Sequence, residues 1–153
     1  RENQDVDFGF VGDDNKSSVN AVLISQFLDL GLIPTFSAIT HNGEGSLLNT
    51  NADTVASVVA QAMSEFYDCE LLYCFNKDGV LEDVNQPESL VKKICKKDFI
   101  KLQQENKLNK GILPKIENAI KAKEQGVSTV ALINENKLQL HIKNHNEGTT
   151  ICL

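Results

Sequence analysis

The sequence predicts a three-layer α/β/α sandwich around a mostly parallel central sheet, and three observations predict it. Strand-like and helix-like segments alternate along the chain, which is the order in which helices connect parallel strands. The run 69–75 is almost continuously apolar, as a strand buried on both faces is, and 127–133 carries no charge at all. With 153 residues, 41% of them hydrophobic and 24% charged, the chain suits one domain with a proper core and has no disordered or low-complexity segment.

Taken in order, residues 7–11 form a short strand that ends at Gly12-Asp13-Asp14. Ser17 or Ser18 then caps a helix whose apolar face carries Val19, Val22, Leu23, Phe27 and Leu30, and Gly31 ends it. A strand over 33–40 turns at His41-Asn42-Gly43-Glu44-Gly45 and returns through Ser46 to Leu48 as a hairpin. A helix covers 52–66, and the apolar strand 69–75 follows it. Asn76-Lys77-Asp78-Gly79 turns at the carboxyl end of that strand, where ligands collect in open α/β sheets, and Val80-Leu81 resumes the apolar pattern. Residues 83–88 are loop, broken by Pro87; 90–97 and 98–106 read as helices with lysine-rich outer faces, and 107–111 is a further polar turn. A helix entered at Pro114 buries Ile112, Ile116, Ala119 and Ile120 and closes at Gly126. The strand 127–133, a short helix over 137–143 and a last strand over 149–152 complete the chain.

Composition excludes some functions. The net charge of −6 argues against a sequence-independent nucleic-acid binder, so any anionic ligand must be met by local lysines. No apolar run is long enough to span a bilayer, and Arg1-Glu2-Asn3-Gln4-Asp5 is polar with no signal-peptide core behind it. The expectation is a soluble, cytoplasmic protein without nucleic-acid or membrane partners. Cys69, Cys74, Cys95 and Cys152 contain no C-x-x-C pair, Cys69 and Cys74 face opposite sides of their strand, and all four are expected as buried reduced thiols. His141 and His145 are an i, i+4 pair, but no third ligand and no H-E-x-x-H accompany them, so a solvated helix face is expected and no metal site. Phosphate-binding glycine motifs and a serine nucleophile elbow are absent.

What remains is a set of polar turns, at 12–17, 49–54, 76–79 and 107–111, each placed between a strand and a helix. In Leu47-Leu48-Asn49-Thr50-Asn51-Ala52-Asp53, period-2 spacing sends Asn49, Asn51 and Asp53 to one side of an extended segment, where two amides and a carboxylate could grip a polar ligand. An ordinary helix cap by Asn51 or Asp53 explains the same residues. Lys115, just inside a helix start and preceded by Gly111, suits a phosphate; as a surface lysine it could equally be solvated.

Asn49-Thr50-Asn51-Ala52-Asp53, then Leu71-Leu72-Tyr73 with Asp78-Gly79-Val80-Leu81, then Lys110-Gly111-Ile112-Leu113-Pro114-Lys115 and finally Gly148-Thr149 resemble, in this order, the C-terminal half of the amino-acid kinase family. The resemblance runs from about Phe10 to the last residue and is nearest to the members that act on acetylglutamate. It implies ATP-dependent phosphorylation of the γ-carboxylate of an N-acyl-L-glutamate, a step towards arginine or ornithine, with Mg²⁺ carried on the nucleotide. It implies that Lys115 stabilises the phosphoryl group in flight, that Asp53 orients the catalytic lysines, and that Asn49 and Asn51 bind the acylated amino acid. Asn76, Lys77, Asp78, Gly79, Val80 and Leu81, with Lys107, Leu108, Asn109 and Gly111, match the two turns around ATP. The carboxylate acceptor is itself the nucleophile, so no activated Ser, Cys or His is needed. The implied partners are these small molecules and further copies of the same protein.

The chain also departs from the family. The lysine and glycine-rich turns of the N-terminal lobe and its arginine for the substrate are not found, Asn76 stands where an Asp is usual, and Ile112 where a Met is. The chain therefore reads as the ATP-binding portion of the fold without its substrate lobe, inactive by itself. A non-catalytic nucleotide-binding or regulatory module, or a kinase of aspartate, UMP or carbamate, is the alternative.

Overall fold

The computed structural model describes residues 9–83, 85–105 and 111–153. Its helices are α1 (Ala21–Asp29), α2 (Ala52–Met63), α3 (Lys96–Gln104), α4 (Leu113–Glu124) and α5 (Leu138–Asn144). Strands β1 (Ile39–His41) and β2 (Leu47–Asn49) pair as an antiparallel hairpin, closed by Asn42 N–H on the Ser46 carbonyl. Strands β3 (Glu70–Phe75), β4 (Lys93–Cys95), β5 (Thr129–Asn134) and β6 (Thr149–Cys152) form one sheet in the order β3-β5-β6-β4. The pairs β3–β5 and β4–β6 are parallel, and β5–β6 is antiparallel. The α/β class with a mostly parallel sheet is as the sequence predicts.

The alternation along each strand builds the layers. Leu71 and Tyr73 of β3, Val130 and Leu132 of β5 and Ile151 of β6 join Ile116, Ala119 and Ile120 of α4 in one core, with Ala56 and Ala60 of α2 packed against it. On the other side of β5, Ala131 and Ile133 are also fully buried. That makes β5 a strand covered on both faces. In β3 only Leu71 and Tyr73 are buried while Glu70 and Cys74 are exposed, which corrects the expectation of two buried faces: β3 is at the sheet edge.

Other elements differ from the sequence reading for local reasons. The cap of α1 is Asn20, whose side chain accepts from Leu23 N–H, and Lys16–Ser18 form a separate 3-10 turn capped by Asn15. Of 33–40 only the last residues are strand, and the predicted strand at 7–11 shows, among the described residues, as one bridge from Val11 to Asn49. The helix expected over 90–97 is not formed. Pro87–Ser89 is a 3-10 turn and Lys93–Cys95 is β4, because Lys92 and its neighbours pair with β6 from far along the chain. Cys95 and Cys152 stand opposite each other in that pairing, with Cα atoms 4.4 Å apart, and are joined as a disulfide. The expectation of four reduced, buried thiols is thus corrected: only Cys69 and Cys74 are free, and Cys74 is exposed. No helix among the described residues is long and apolar enough to cross a membrane.

A candidate phosphoryl-transfer site at the amino ends of two helices

Each of α2 and α4 leads into a parallel strand, β3 and β5, so the amino ends of both helices lie at the carboxyl end of the sheet. The approach to α2 is fixed by backbone pairing. Gly12 N–H donates to the Asn49 carbonyl at 3.0 Å, and Asn49 N–H to the Phe10 carbonyl at 2.8 Å. A side chain at Gly12 would collide with the hydroxyls of Thr50 and Thr40, which bond each other at 2.8 Å. Thr50 is buried, so the chain crosses there into the helix while Asn49 and Asn51 stay exposed.

Asn51 is the cap: its Oδ1 accepts Asp53 N–H at 2.8 Å. Asp53 is already in the first helical turn, so period-2 alternation stops at Asn51 and does not set the direction of the Asp53 side chain. Both carboxylate oxygens of Asp53 instead accept from Lys115 Nζ, at 2.7 and 2.6 Å. Lys115 stands in the first turn of α4, whose N-cap residue Ile112 provides no side-chain cap. Around the pair, the Tyr73 hydroxyl donates to the Asp53 carbonyl at 3.2 Å and the Tyr73 ring lies 5.9 Å from Nζ. Burial pushes the Tyr73 hydroxyl well above its ordinary range, a hydrogen bond with Ser57 acts the other way, and the Asp53 charge adds to the rise. Tyr73 therefore stays a neutral donor. Lysine and carboxylate are each about a quarter exposed, so a ligand can reach Nζ from outside.

The turn after β3 is tied to the start of β6. The Thr149 hydroxyl accepts Val80 N–H at 2.8 Å and donates to the Val91 carbonyl at 2.6 Å, while Val91 N–H returns to the Val80 carbonyl. Gly79 has φ 143° and packs so closely on Thr149 and Leu90 that a Cβ would not fit. Asp78 is held by Asn134 Nδ2 at 3.0 Å and Lys137 Nζ at 3.0 Å. The Lys137 hydrogen bond keeps the Asp78 carboxyl below its ordinary range, and Asp78 in turn raises Lys137.

The structure thus brings Lys115 and Asp53 together, with Asn49 and Asn51 on the segment leading to them. Asn76, Lys77, Asp78, Gly79, Val80 and Leu81 form one turn at the carboxyl end of β3, where Val80 is buried and Asp78 is bound to Lys137. Lys107, Leu108 and Asn109 lie outside the described residues, and Gly111 is an exposed turn residue before α4.

The model of the amino acid kinase family matches residues 3–134. The chain belongs to that family. Acetylglutamate kinase of Bacteroides thetaiotaomicron is 40% identical over 148 residues, which are 97% of this chain and 55% of that protein. The chain thus spans about half the length of the curated relatives it matches. Among solved structures, smu.665 from Streptococcus mutans superposes with a TM-score of 0.74 at 30% identity, over 94% of this chain and 51% of that one. N-acetylglutamate synthase from Neisseria gonorrhoeae, at 22% identity, shares the fold with a TM-score of 0.79 over 96% of this chain and 33% of its own.

Within this member of the amino acid kinase family, the sequence by itself assigns no role to Tyr73, Thr149, Asn134 or Lys137. Gly148-Thr149 belongs to the motifs that carry the family resemblance, and nothing local in the sequence shows what Thr149 holds. Its hydroxyl is fully buried and pins the 76–81 turn to the sheet.

Proposed function

We propose that this chain is the ATP-binding portion of an acetylglutamate kinase, which transfers the terminal phosphoryl group of ATP to the γ-carboxylate of N-acetyl-L-glutamate. The observation that carries the reading is the Lys115–Asp53 pair at the amino ends of α4 and α2. An ammonium held by a carboxylate and a helix start without a side-chain cap together suit the oxygens of a transferring phosphoryl group. The choice of acceptor is supported by relatives named acetylglutamate kinase at about 40% identity.

The donor chemistry fits a nucleotide. Lys115, the first-turn N–H groups of α4 and the 76–81 turn would hold ATP. Asp53 is engaged through both oxygens, so Mg²⁺ would be held on the phosphates rather than by this carboxylate. When bound, Mg²⁺ supplies charge neutralisation. Lys115 then follows the phosphoryl oxygens with its charge while Asp53 keeps the ammonium aimed, and the Tyr73 hydroxyl steadies the Asp53 backbone. Asn49 offers a whole amide to the acylated amino acid; Asn51 has only Nδ2 left, because its oxygen caps α2. The remaining ligands for phosphates and substrate belong, in this proposal, to a substrate lobe in the part of the relatives that the chain does not span. The same proposal has a cytoplasmic homo-oligomer, which size-exclusion of the complete protein checks.

The test is ADP formation by the complete protein with N-acetyl-L-glutamate, aspartate, UMP or carbamate, trapping acyl phosphate with hydroxylamine. Hydroxamate from acetylglutamate in preference to aspartate is expected. Turnover with another acceptor only overturns the substrate; nucleotide binding with no turnover on any acceptor means a non-catalytic module.

A further inference from the structure

On the sheet face away from Asp53 and Lys115, Glu70, His141 and His145 bring three ligand atoms within 4.8 Å of one another. Glu70 opens β3, and its odd spacing from Tyr73 turns its side chain to the opposite face. His141 lies in α5 and is buried, not solvated as its sequence suggests, and Glu70 is the third group that the sequence did not reveal. His145 takes the helix C-cap with φ 51°, a place that usually falls to glycine or asparagine. Its N–H bonds the His141 carbonyl and its ring folds back beside His141, with ring centroids 5.9 Å apart.

The hydrogen bonds of His141 decide what its second nitrogen must do. Nδ1 is 2.8 Å from the Glu147 carbonyl oxygen, which can only accept, so Nδ1 carries a proton. In the neutral ring Nε2 then presents a lone pair, and 3.3 Å away it meets Glu70 Oε1, another acceptor. His145 Nδ1 faces the same oxygen at 3.4 Å. A buried lone pair opposed to a carboxylate needs positive charge between them, from a proton or from a cation.

Geometry favours the cation. A ring N–H on a backbone carbonyl is the contact that orients ligating histidines. With bonds of about 2.0–2.1 Å, a tetrahedral zinc site has ligand-to-ligand edges of roughly 3.3–3.4 Å. The two edges from Glu70, at 3.3 and 3.4 Å, already have that length, and exposed His145 can turn to close the third. The geometry points to a divalent transition-metal site of two histidines and one glutamate, with water completing the shell. Imidazole nitrogens select Zn²⁺ and its neighbours over Mg²⁺. Lying across the sheet from Lys115, the ion would clamp the edge strand β3 to α5 and take no part in phosphoryl transfer.

The complete protein carrying Cys69→Ser and Cys74→Ser, so that free thiols do not compete, is stripped with chelator and titrated with Zn²⁺ by calorimetry and with Co²⁺ by visible absorption, without nucleotide. One equivalent should bind, and Zn²⁺ should raise Tm by several degrees. His145→Ala and Glu70→Gln should each weaken Zn²⁺ binding at least about tenfold and abolish the Tm shift. His145 is 65% exposed, so its loss leaves folding intact. Absence of binding, or equal Zn²⁺ affinity in the parent and His145→Ala, overturns the site.

Discussion

Lys115 Nζ lies 2.7 and 2.6 Å from the two carboxylate oxygens of Asp53, a contact made across 62 positions of sequence. If Lys115 acts mainly on the transition state, Lys115→Ala in the complete protein should lower kcat at least about a hundredfold with a small change in KM. Asp53→Asn keeps the shape and removes the charge, so kcat should fall while stability drops by roughly 1 kcal/mol or less, as for other part-exposed pairs. Lys115→Arg should also be poor, since a planar fork replaces a compact ammonium. An unaltered kcat in Lys115→Ala would sink the assignment.

Thr149 offers a stability test that does not depend on catalysis. Its hydroxyl is the partner of both Val80 N–H and the Val91 carbonyl, and the residue is fully buried. Thr149→Val preserves volume but removes that partner, so unfolding in urea should show a loss of about 1–3 kcal/mol. Thr149→Ser keeps the hydroxyl and should lose less. Equal midpoints for the parent and Thr149→Val would mean that the hydroxyl does not hold the turn.

How much of this was legible in the sequence depended on how local the cause was. The helices α2 and α4 and the turn after β3 follow from periodicity, Pro114 and Gly126, all within a few residues. Strand β4 was hidden. Leu90, Val91 and Ile94 sit at helix-like spacing among lysines, and only pairing with β6, which begins at Thr149, makes 93–95 extended. For Asn49, Asn51 and Asp53 the spacing left both grip and cap open; the structure gives Asn51 the cap and Asp53 the ion pair. That Asp53 meets Lys115 could be expected only from family resemblance, because no local pattern spans that gap. His141 looked solvated for the same reason: Glu70, which faces its Nε2, lies 71 positions away.

The Cys95–Cys152 link closes a loop with a separation of 57 positions. By the chain-entropy argument such a cross-link stabilises by about 4 kcal/mol, since the unfolded chain loses that much freedom. Thiol labelling of the oxidised protein should therefore find, within this chain, only Cys69 and Cys74, and all four cysteines after reduction and unfolding. Cys152→Ser should lower the urea midpoint, and dithiothreitol should then have no further effect. Modification of all four cysteines without reductant would show that the link does not form.

The pairing of Asp78 with Lys137 predicts a pH dependence whose two arms have opposite causes. The Lys137 hydrogen bond lowers Asp78 below its unfolded value of about 3.9, so its contribution is complete above that pH and is lost as pH falls through the lower folded value. Lys137 is raised above about 10.4 by Asp78, so its contribution is complete below that pH and is lost as pH rises through the higher folded value. Both side chains are more than a third exposed, which limits the pair to roughly 0.5–1 kcal/mol and makes it sensitive to salt. The stability difference between the parent and Asp78→Asn should be flat between about pH 5 and 9 and shrink on either side. Urea unfolding of both proteins across this range measures it, and a difference that stays constant into acid would assign the effect of the substitution to the neutral Asn134 contact instead of the ion pair.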